Sequence, residues 1–384
     1  MTRRRVEGAP TWRGATESAP LLLLGMRPSG DSMPPAPTDL TDESLYVSTG
    51  HLPPPADVQR RVQAAFEHAR VHTEGACSEV YPALARVSPE LFGVSLAGID
   101  GSLVSIGDAR HPFTIMSVAK PFTFALLCEA LGPAACRRLI GANATGMPFN
   151  SAAAIDFGDE GRTNPMVNSG ALAAASHLPG ESLEAKWAHL SEGLARFAGH
   201  PLALDEDVYA SAMQTHHRNH GMAWLLHGLG RLGMHPTEAT ELYTRQSCVQ
   251  VTAEDLALMG ATLADGGVQP KTRERVVSVE SCAYALAVMT TAGMYETSGD
   301  WLYEVGIPGK SGIAGGIVAV APGKGALGSF SPLLDGAGNS IRGQLVAREL
   351  SRSLGLSLFT SSPAEPPRAE SRAMPPSSEW ARGW

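Results

Sequence analysis

The chain has 384 residues, of which 43% are hydrophobic, so it is long enough to bury one large core or two lobes that share an interface. Its formal net charge is −8, from 38 acidic and 30 basic residues, and no long run of Lys and Arg occurs. This balance disfavours a nucleic-acid-binding protein, because phosphate contacts need a concentrated basic face. No stretch approaches the roughly 20 apolar residues of a membrane helix, so no membrane partner is expected either.

The two ends of the chain differ in composition from its middle. Residues 1–45 and 359–384 are rich in Pro, Gly, Ser and Arg and lack apolar periodicity, so they cannot offset the entropy lost on folding. We predict a disordered leader, one catalytic domain over residues 46–358 and a disordered tail. The four leucines at Leu21–Leu24 are too few for a signal peptide, which favours a cytoplasmic location.

The cysteines give no sign of a metal site or of a disulfide framework. None forms a C-x-x-C pair or lies near a histidine at zinc-finger spacing, so we expect reduced, mostly buried thiols and neither metal nor cofactor. They are Cys77, Cys128, Cys136, Cys248 and Cys282.

Hydrophobic periodicity predicts the elements in the first two thirds of the chain. Residues 58–70 have the pattern of an amphipathic helix, whereas residues 92–97 and 98–107 have that of a two-stranded hairpin. The stretch 118–290 is then mainly helical.

Strand patterns return near the carboxyl end. Residues 315–322 and 325–331 predict two strands joined by a Pro-Gly-Lys-Gly turn, and residues 339–354 predict a closing helix. Strands at both ends with a helical block between them imply an α+β fold. We expect an antiparallel sheet built from distant segments, flanked by helices, with an inserted helical lobe.

The first motif with chemical meaning is Ser117-Val-Ala-Lys120. Pro121 follows it and is compatible with a first helical turn, so Ser117 is predicted at a helix N-terminus with Lys120 on the same face. A lysine in a dry pocket loses its proton more easily and can then accept the serine proton. An isolated S-x-x-K is more often a cap and a solvated lysine, but this chain has only five lysines and the following helix is strongly apolar.

The second motif is Lys310-Ser-Gly-Ile-Ala-Gly-Gly, predicted as a glycine-rich turn at the entrance to the late strands. Such a turn brings backbone N–H groups and a positive charge close to an oxyanion or carboxylate. Alone it is an ordinary turn. An early S-x-x-K and a late K-[ST]-G on either side of a helical block, however, match the order of motifs in penicillin-recognising serine enzymes.

Asparagines, tyrosines and histidines provide weaker candidates. The runs 161–171 and 215–219 contain asparagines, which can both donate to and accept from an amino-acid substrate, although caps and turns use the same residue. Tyr243 and Tyr295 are two of seven tyrosines and taken alone indicate core aromatics. His216 and His217 have no third ligand at a useful spacing and are predicted to be turn or surface residues.

Several segments, in order over roughly residues 75–345, resemble the serine-dependent glutaminase family and its β-lactamase-like fold. The segments are Phe113-Thr-Ile-Met-Ser-Val-Ala-Lys-Pro-Phe, Pro148-Phe-Asn-Ser, Asn164-Pro-Met-Val-Asn-Ser-Gly-Ala, Arg218-Asn219, Tyr243 with Cys248, Asp255-Leu-Ala-Leu-Met, Leu263-Ala-Asp-Gly-Gly, Gly293-Met-Tyr and Gly306-Ile-Pro-Gly-Lys-Ser-Gly. The resemblance implies conversion of L-glutamine and water to L-glutamate and ammonia, by a homodimer or homotetramer.

The resemblance also implies roles for individual residues. Ser117 resembles the family's nucleophile and Lys120 the base that activates it, while Tyr295 matches a tyrosine close to the reacting centre. Ile313 takes a position usually held by valine, whose backbone N–H would form the oxyanion hole with that of Ser117. Asn168, Asn219 and Tyr243 match positions that hold the end of the substrate with its α-amino and α-carboxylate groups.

Three positions depart from the family pattern. Ala212 stands where a glutamate commonly binds the substrate's ammonium, and Tyr81 is shifted by one residue, so Tyr81 is not predicted to reach the site. The usual Glu-Pro-Ser-Gly stretch is Asn143-Ala-Thr-Gly146 here. Because of Ala212, two alternatives stay open: another amide or β-lactam hydrolase of this fold, and a silent protein that binds glutamine or glutamate.

Overall fold

A computed structural model describes residues 50–361 of the chain. Its strands are β1 (Gly93–Gly98), β2 (Leu103–Gly107), β3 (Phe113–Thr114), β4 (Gln250–Val251), β5 (Gly309–Ser311), β6 (Gly316–Ala321) and β7 (Gly325–Phe330). Its helices are α1 (Pro55–Arg70), α2 (Ala119–Leu131), α3 (Pro133–Ile140), α4 (Ala153–Phe157), α5 (Asn168–Ser176), α6 (Leu183–Ala198), α7 (Glu206–Thr215), α8 (His217–Gly228), α9 (Pro236–Ser247), α10 (Ala253–Ala264), α11 (Val279–Ala292), α12 (Ser298–Glu304) and α13 (Ile341–Ser353). None of these helices is long and apolar enough to cross a membrane.

Five strands form one antiparallel sheet in the order β2-β1-β7-β6-β5. Early strand β1 lies between β2 and the late strand β7, so the sheet joins segments more than 200 residues apart, as the sequence pattern predicts. The two predicted hairpins and the first and last helices are present. One prediction is wrong: Lys310 and Ser311 lie in strand β5, paired with β6, and the glycine-rich turn begins only after them.

The central strands are buried on both faces because helices cover each side of the sheet. Val318 and Ala326 point towards α10, whereas Ile317 and Ala319 on the neighbouring positions pack with α1 and α13. Alternate side chains of a strand point to opposite faces, which explains why β1, β6 and β7 have no exposed residue. The core of the protein therefore has two layers, one on each face of the sheet.

The chain leaves the sheet after β2 and returns to it at β5, and the intervening segment contributes most of the helices. Within this block, α2 is apolar almost all round, and every residue from Ala119 to Cys128 is buried. A helix with apolar residues on all faces packs in a core instead of at a surface. This helix starts two residues after Ser117, so it fixes the position of that serine.

All five cysteines lie within the described residues, whereas most of the two predicted end segments does not. Four of the five cysteines are buried free thiols, and Cys77 is half-buried. The predicted disordered leader lies outside the described residues, as does the predicted tail from residue 362 onwards.

Two helical glycines give a matched test of how tightly α10 packs on the sheet. A Cβ atom added at Gly260 would lie 2.6 Å from the Cβ of Ala326 and 2.7 Å from a methyl group of Val318, whereas one added at Gly221 of α8 meets nothing within 4 Å. We expect Gly260→Ala to lower the free energy of unfolding by about 1–3 kcal/mol. Gly221→Ala should raise it by up to about 1 kcal/mol, because alanine favours the helix. Chemical denaturation of both variants measures the difference, and equal effects would contradict this packing.

Candidate active site

Ser117 lies in a single 3₁₀ turn, Met116–Val118, immediately before α2. The turn is anchored by the backbone of Ile115, whose N–H donates to the carbonyl of Val249 at 2.8 Å. Met116 has a φ of 47°, a left-handed conformation that costs a non-glycine residue roughly 1–3 kcal/mol. Ser117 is thus held by a strained turn ahead of the helix, and it makes no cap hydrogen bond of its own.

The glycine-rich turn after β5 packs directly against this serine turn. A Cβ atom on Gly312 would lie only 2.9 Å from the carbonyl oxygen of Ile115 and 3.2 Å from the Cβ of Met116. Glycine is therefore required for the close approach of the two segments. The early and late motifs of the sequence meet here, as their pairing in the sequence predicts.

Lys120 is 1% exposed and is the cation at the centre of the site. Its Nζ donates to Oδ1 of Asn168 at 2.7 Å and to the carbonyl of Met166 at 3.4 Å, and no carboxylate of residues 50–361 pairs with it. Burial lowers the pKa of Lys120 from 10.5 to about 7. The direct hydrogen bond to Ser117 expected from the spacing is not formed, because the amide oxygen of Asn168 takes the amine instead.

Asn168, Asn219 and Tyr243 form a hydrogen-bonded network around Lys120. The hydroxyl of Tyr243 donates to Oδ1 of Asn168 at 3.0 Å, and Nδ2 of Asn168 donates to Oδ1 of Asn219 at 3.0 Å. Nδ2 of Asn219 has no acceptor among the described residues. The helices α5, α8 and α9 each contribute one member, so the network links α5 to two helices that follow it about 50 to 75 residues later.

Tyr295 and Lys310 line the opposite side. Tyr295 has a φ of 56°, a second left-handed non-glycine residue at the site, and its hydroxyl donates to the carbonyl of Ser311 at 3.2 Å. Nζ of Lys310 lies 4.3 Å from the centroid of the Tyr295 ring and donates to the carbonyl of Gly293 at 2.8 Å. Burial, and secondly the charge of Lys120, lower the pKa of Lys310 well below its ordinary value. Lys310 thereby ties the Tyr295 turn to β5.

The tyrosine hydroxyls of both sides face Ser117. Burial raises the pKa of Tyr295 to about 12 and that of Tyr243 well above 10, while an interaction with the Ser117 hydroxyl opposes the rise in both. The backbone N–H of Ile313, in the turn after β5, has no acceptor among residues 50–361. The arrangement brings together a hydroxyl, an amine that is easily deprotonated and two phenols, and the turn that packs against Met116 adds a free N–H. These are the groups that nucleophilic attack on a carbonyl needs.

Three contributors to the site were not predicted from the sequence. Tyr81 is buried and interacts electrostatically with Tyr243, so the one-residue shift of its motif does not remove it from the site. The ring of Phe149 lies 4.3 Å from that of Tyr295, and its carbonyl accepts from the N–H of Asn168 at 2.8 Å. The carboxylate of Glu296 accepts from the N–H of Phe149 at 3.0 Å. The segment Pro148-Phe-Asn-Ser, which resembles the family pattern, is the sequence feature that could have identified Phe149.

Ala212 and the histidines lie where the sequence indicates. Ala212 is fully buried in α7 and brings no charge. His216 caps α7 and His217 begins α8 with an exposed side chain. In residues 50–361, no three His, Cys, Asp or Glu side chains are placed to hold a metal ion.

Comparison with known proteins gives consistent matches. The family model described as Glutaminase matches residues 75–359. The chain is 58% identical over 329 residues to "Glutaminase 2" of Yersinia pestis, covering 85% of this chain and 97% of that protein. It is 44% identical over 303 residues to a glutaminase of Brucella canis, covering 78% and 96%.

Two solved structures to which the chain is similar are named as glutaminases. The probable glutaminase YbaS has a TM-score of 0.79 and 38% identity, and the match covers 80% of this chain and all of that one. The Bacillus subtilis glutaminase YbgJ, in covalent complex with 5-oxo-L-norleucine formed from 6-diazo-5-oxo-L-norleucine, has a TM-score of 0.70 and 30% identity. That match also covers 80% of this chain and all of that one.

The lowered pKa of Lys120 predicts a pH dependence of stability. Between pH 7 and 10.5 the native chain lacks a proton that the unfolded chain still carries, so unfolding takes up a proton and stability rises with pH. Lys120→Met removes this effect. The unfolding free energy of the wild type relative to Lys120→Met should therefore increase from about pH 7 to about pH 10, as measured by denaturant titration. A difference that does not vary over this window would contradict the lowered pKa.

Proposed function

This chain belongs to the glutaminase family, and we propose that it hydrolyses the side-chain amide of L-glutamine to L-glutamate and ammonia through an acyl-enzyme on Ser117. The observation that carries the proposal is the buried amine of Lys120, which lacks a carboxylate partner and lies in one network with Asn168, Asn219 and Tyr243. A lysine with a pKa of about 7 is neutral in a useful fraction at neutral pH and can act as a base.

In the first half of the reaction, Oγ of Ser117 attacks the side-chain carbonyl carbon of glutamine and its proton passes to the amine of Lys120. The hydroxyl of Tyr243, which faces Ser117 and donates to Asn168, supports this proton transfer from Ser117 to Lys120. The N–H groups of Ser117 and Ile313 stabilise the oxyanion. The C–N bond then breaks, and the leaving nitrogen takes the proton that Lys120 accepted from Ser117, so it departs as ammonia and the amine is neutral again, with the Tyr295 hydroxyl next to the leaving group.

In the second half, water attacks the acyl carbonyl and Lys120 accepts a proton from it. The ester bond to Ser117 breaks, the serine oxygen regains a proton, and glutamate leaves. The same oxyanion donors serve both halves. Because the two phenols keep their protons far above neutral pH, they act as donors throughout.

The α-carboxylate of the substrate accepts a hydrogen bond from Nδ2 of Asn219, which has no other acceptor among the described residues. The α-ammonium of the substrate is bound by oxygen atoms of the same network. The usual glutamate is replaced by buried Ala212, so the ammonium is bound by neutral groups only. A charge-assisted hydrogen bond is roughly twice as strong as a neutral one. We therefore expect weaker binding of glutamine than in a relative that has the carboxylate.

The fold and the domain organisation of the chain are part of the proposal. We propose a β-lactamase-like arrangement for the α+β fold, with residues 46–358 as one catalytic domain and the helical block as an inserted lobe. The homodimer or homotetramer and the cytoplasmic location stay predictions.

Ala212 also favours a second candidate, a protein that binds glutamine or glutamate without turning it over. A ligand that binds only the native state raises the melting temperature, and the rise grows with the logarithm of the ligand concentration once that concentration exceeds Kd. Stabilisation by L-glutamine without release of ammonia would support this candidate. A β-lactam that labels Ser117 in the presence of glutamine would instead support a different hydrolase.

The role of the nucleophile is tested with Ser117→Ala. We expect kcat for ammonia release from L-glutamine to fall at least about 1,000-fold, because no other described group can form the acyl-enzyme. Ser95→Ala is the matched control: Ser95 is also fully buried, lies on β1 and bonds to Ser105 outside the site. Ser117→Ala activity above a tenth of the wild type, or an equal loss in both variants, would remove Ser117 from the mechanism.

The role of Asn219 is tested by comparing how its substitution changes KM and kcat. Asn219→Ala removes a hydrogen bond to a charged group, so KM for L-glutamine should rise about 10- to 100-fold with a much smaller change in kcat. Gln63→Ala, which removes an exposed side-chain amide on α1 that bonds to Glu67, should leave both constants unchanged. Unchanged KM in Asn219→Ala would show that this amide does not bind substrate.

A further inference from the structure

A second cavity lies on the surface beside the carboxyl end of α3. It has a volume of about 670 Å³ and is bounded by one side of α3 from Pro133 to Arg138, residues 141–145, α4 with the segment that follows it, and Tyr284 of α11. None of the groups that surround Ser117 lines it. Its size is in the range of roughly 300–1,000 Å³ that small-molecule sites occupy.

The cavity carries positive charge although the chain as a whole is acidic. Its lining contains Arg137, Arg138 and Arg162 against a single carboxylate, Asp159. Arg162 is paired with that aspartate, whereas Arg137 and Arg138 have no acidic partner in residues 50–361. A lone exposed arginine is simply solvated, but two unpaired guanidinium groups at one concave surface provide forked donors for a phosphate or carboxylate.

Two exposed aromatic rings line the same cavity. Phe157 at the end of α4 is 80% exposed and Tyr284 is 48% exposed. Large aromatic side chains left in water offer flat apolar faces on which a nucleobase can stack. Arginines for an anion and aromatic faces for a base in one cavity of this volume fit one chemical class of ligand, a nucleoside phosphate.

The wall of the cavity is connected to the catalytic lysine. Nδ2 of Asn164 donates to the carbonyl oxygens of Ala142 at 2.9 Å and Asn143 at 3.2 Å, which belong to the wall. Oδ1 of Asn164 accepts from the N–H of Met166 at 2.8 Å, and the carbonyl of Met166 accepts from Nζ of Lys120. A ligand that orders the wall therefore acts on backbone that contacts Lys120.

The geometry points to an effector site for a nucleoside diphosphate or triphosphate in this cavity, with the phosphates on Arg137 and Arg138 and the base against Tyr284 or Phe157. Binding changes the KM for L-glutamine through Asn164 and Met166. The effect on KM depends on the proposed glutaminase activity, whereas binding itself does not, so the two can fail separately.

The test uses the full chain and isothermal titration with ADP, adenosine and inorganic pyrophosphate. We expect ADP to bind more tightly than either fragment, and with an affinity that falls as salt is added. The double variant R137A/R138A should lose at least about tenfold in ADP affinity, and Tyr284→Ala about fivefold. Arg352→Ala, an exposed arginine on α13 away from the cavity, is the matched control and should bind like the wild type.

Saturating ADP should also shift the KM for L-glutamine in the wild type and in Arg352→Ala but not in R137A/R138A. No ADP binding at millimolar concentration, or equal binding by wild type and R137A/R138A, would overturn the site. Pyrophosphate binding as tightly as ADP would overturn its assignment to a nucleoside. ADP binding without any shift in KM would overturn its role as an effector site.

Discussion

The structure around Ser117 depends on one constraint: the amine of Lys120 is buried without a counter-ion. A buried cation is costly unless it is paired or gives up its proton, and here only neutral oxygens of Asn168 and Met166 surround it. The constraint is met because α2 is apolar on all faces, which excludes water from its first turn. The sheet in turn brings the turn after β5 against Met116 and closes the site. Stability is thus given up locally, and the amine that we propose as the base has a lowered pKa.

Much of the architecture could be predicted from sequence patterns. Alternation and turn residues identified the strands of both hairpins, and the late lysine motif together with Ser117 and Lys120 indicated which segments meet. Strand β5 was missed because a three-residue strand rich in glycine has no periodicity, and only its pairing with β6 defines it. The position of the Lys120 amine could not be predicted either. Spacing along a helix shows that Ser117 is within reach, but the competing acceptor, Asn168, comes from a distant helix.

The departures from the family pattern affect the site unequally. Despite the shift at Tyr81, its ring is buried close enough to Tyr243 to contribute to the raised pKa of that phenol. Ala212 is different, because no loop movement can replace a missing carboxylate and the residue is already fully buried. In the mechanism that we propose, the chemistry of Ser117 and Lys120 is therefore separable from recognition of the substrate's ammonium group. Relatives that share the first and differ in the second would share a reaction but differ in affinity.

Burial that lowers the pKa of Lys120 to about 7 leaves a large fraction of the amine neutral at physiological pH, and NMR can observe this titration directly. The chain has only five lysines, so ¹³C-labelling at Cε gives five signals, of which Lys120→Met removes the one to be assigned. The account predicts that this signal titrates with a midpoint near pH 7. A midpoint near 10.5, the ordinary value for lysine, would mean that the amine is charged when the reaction starts, and would contradict its role as the base.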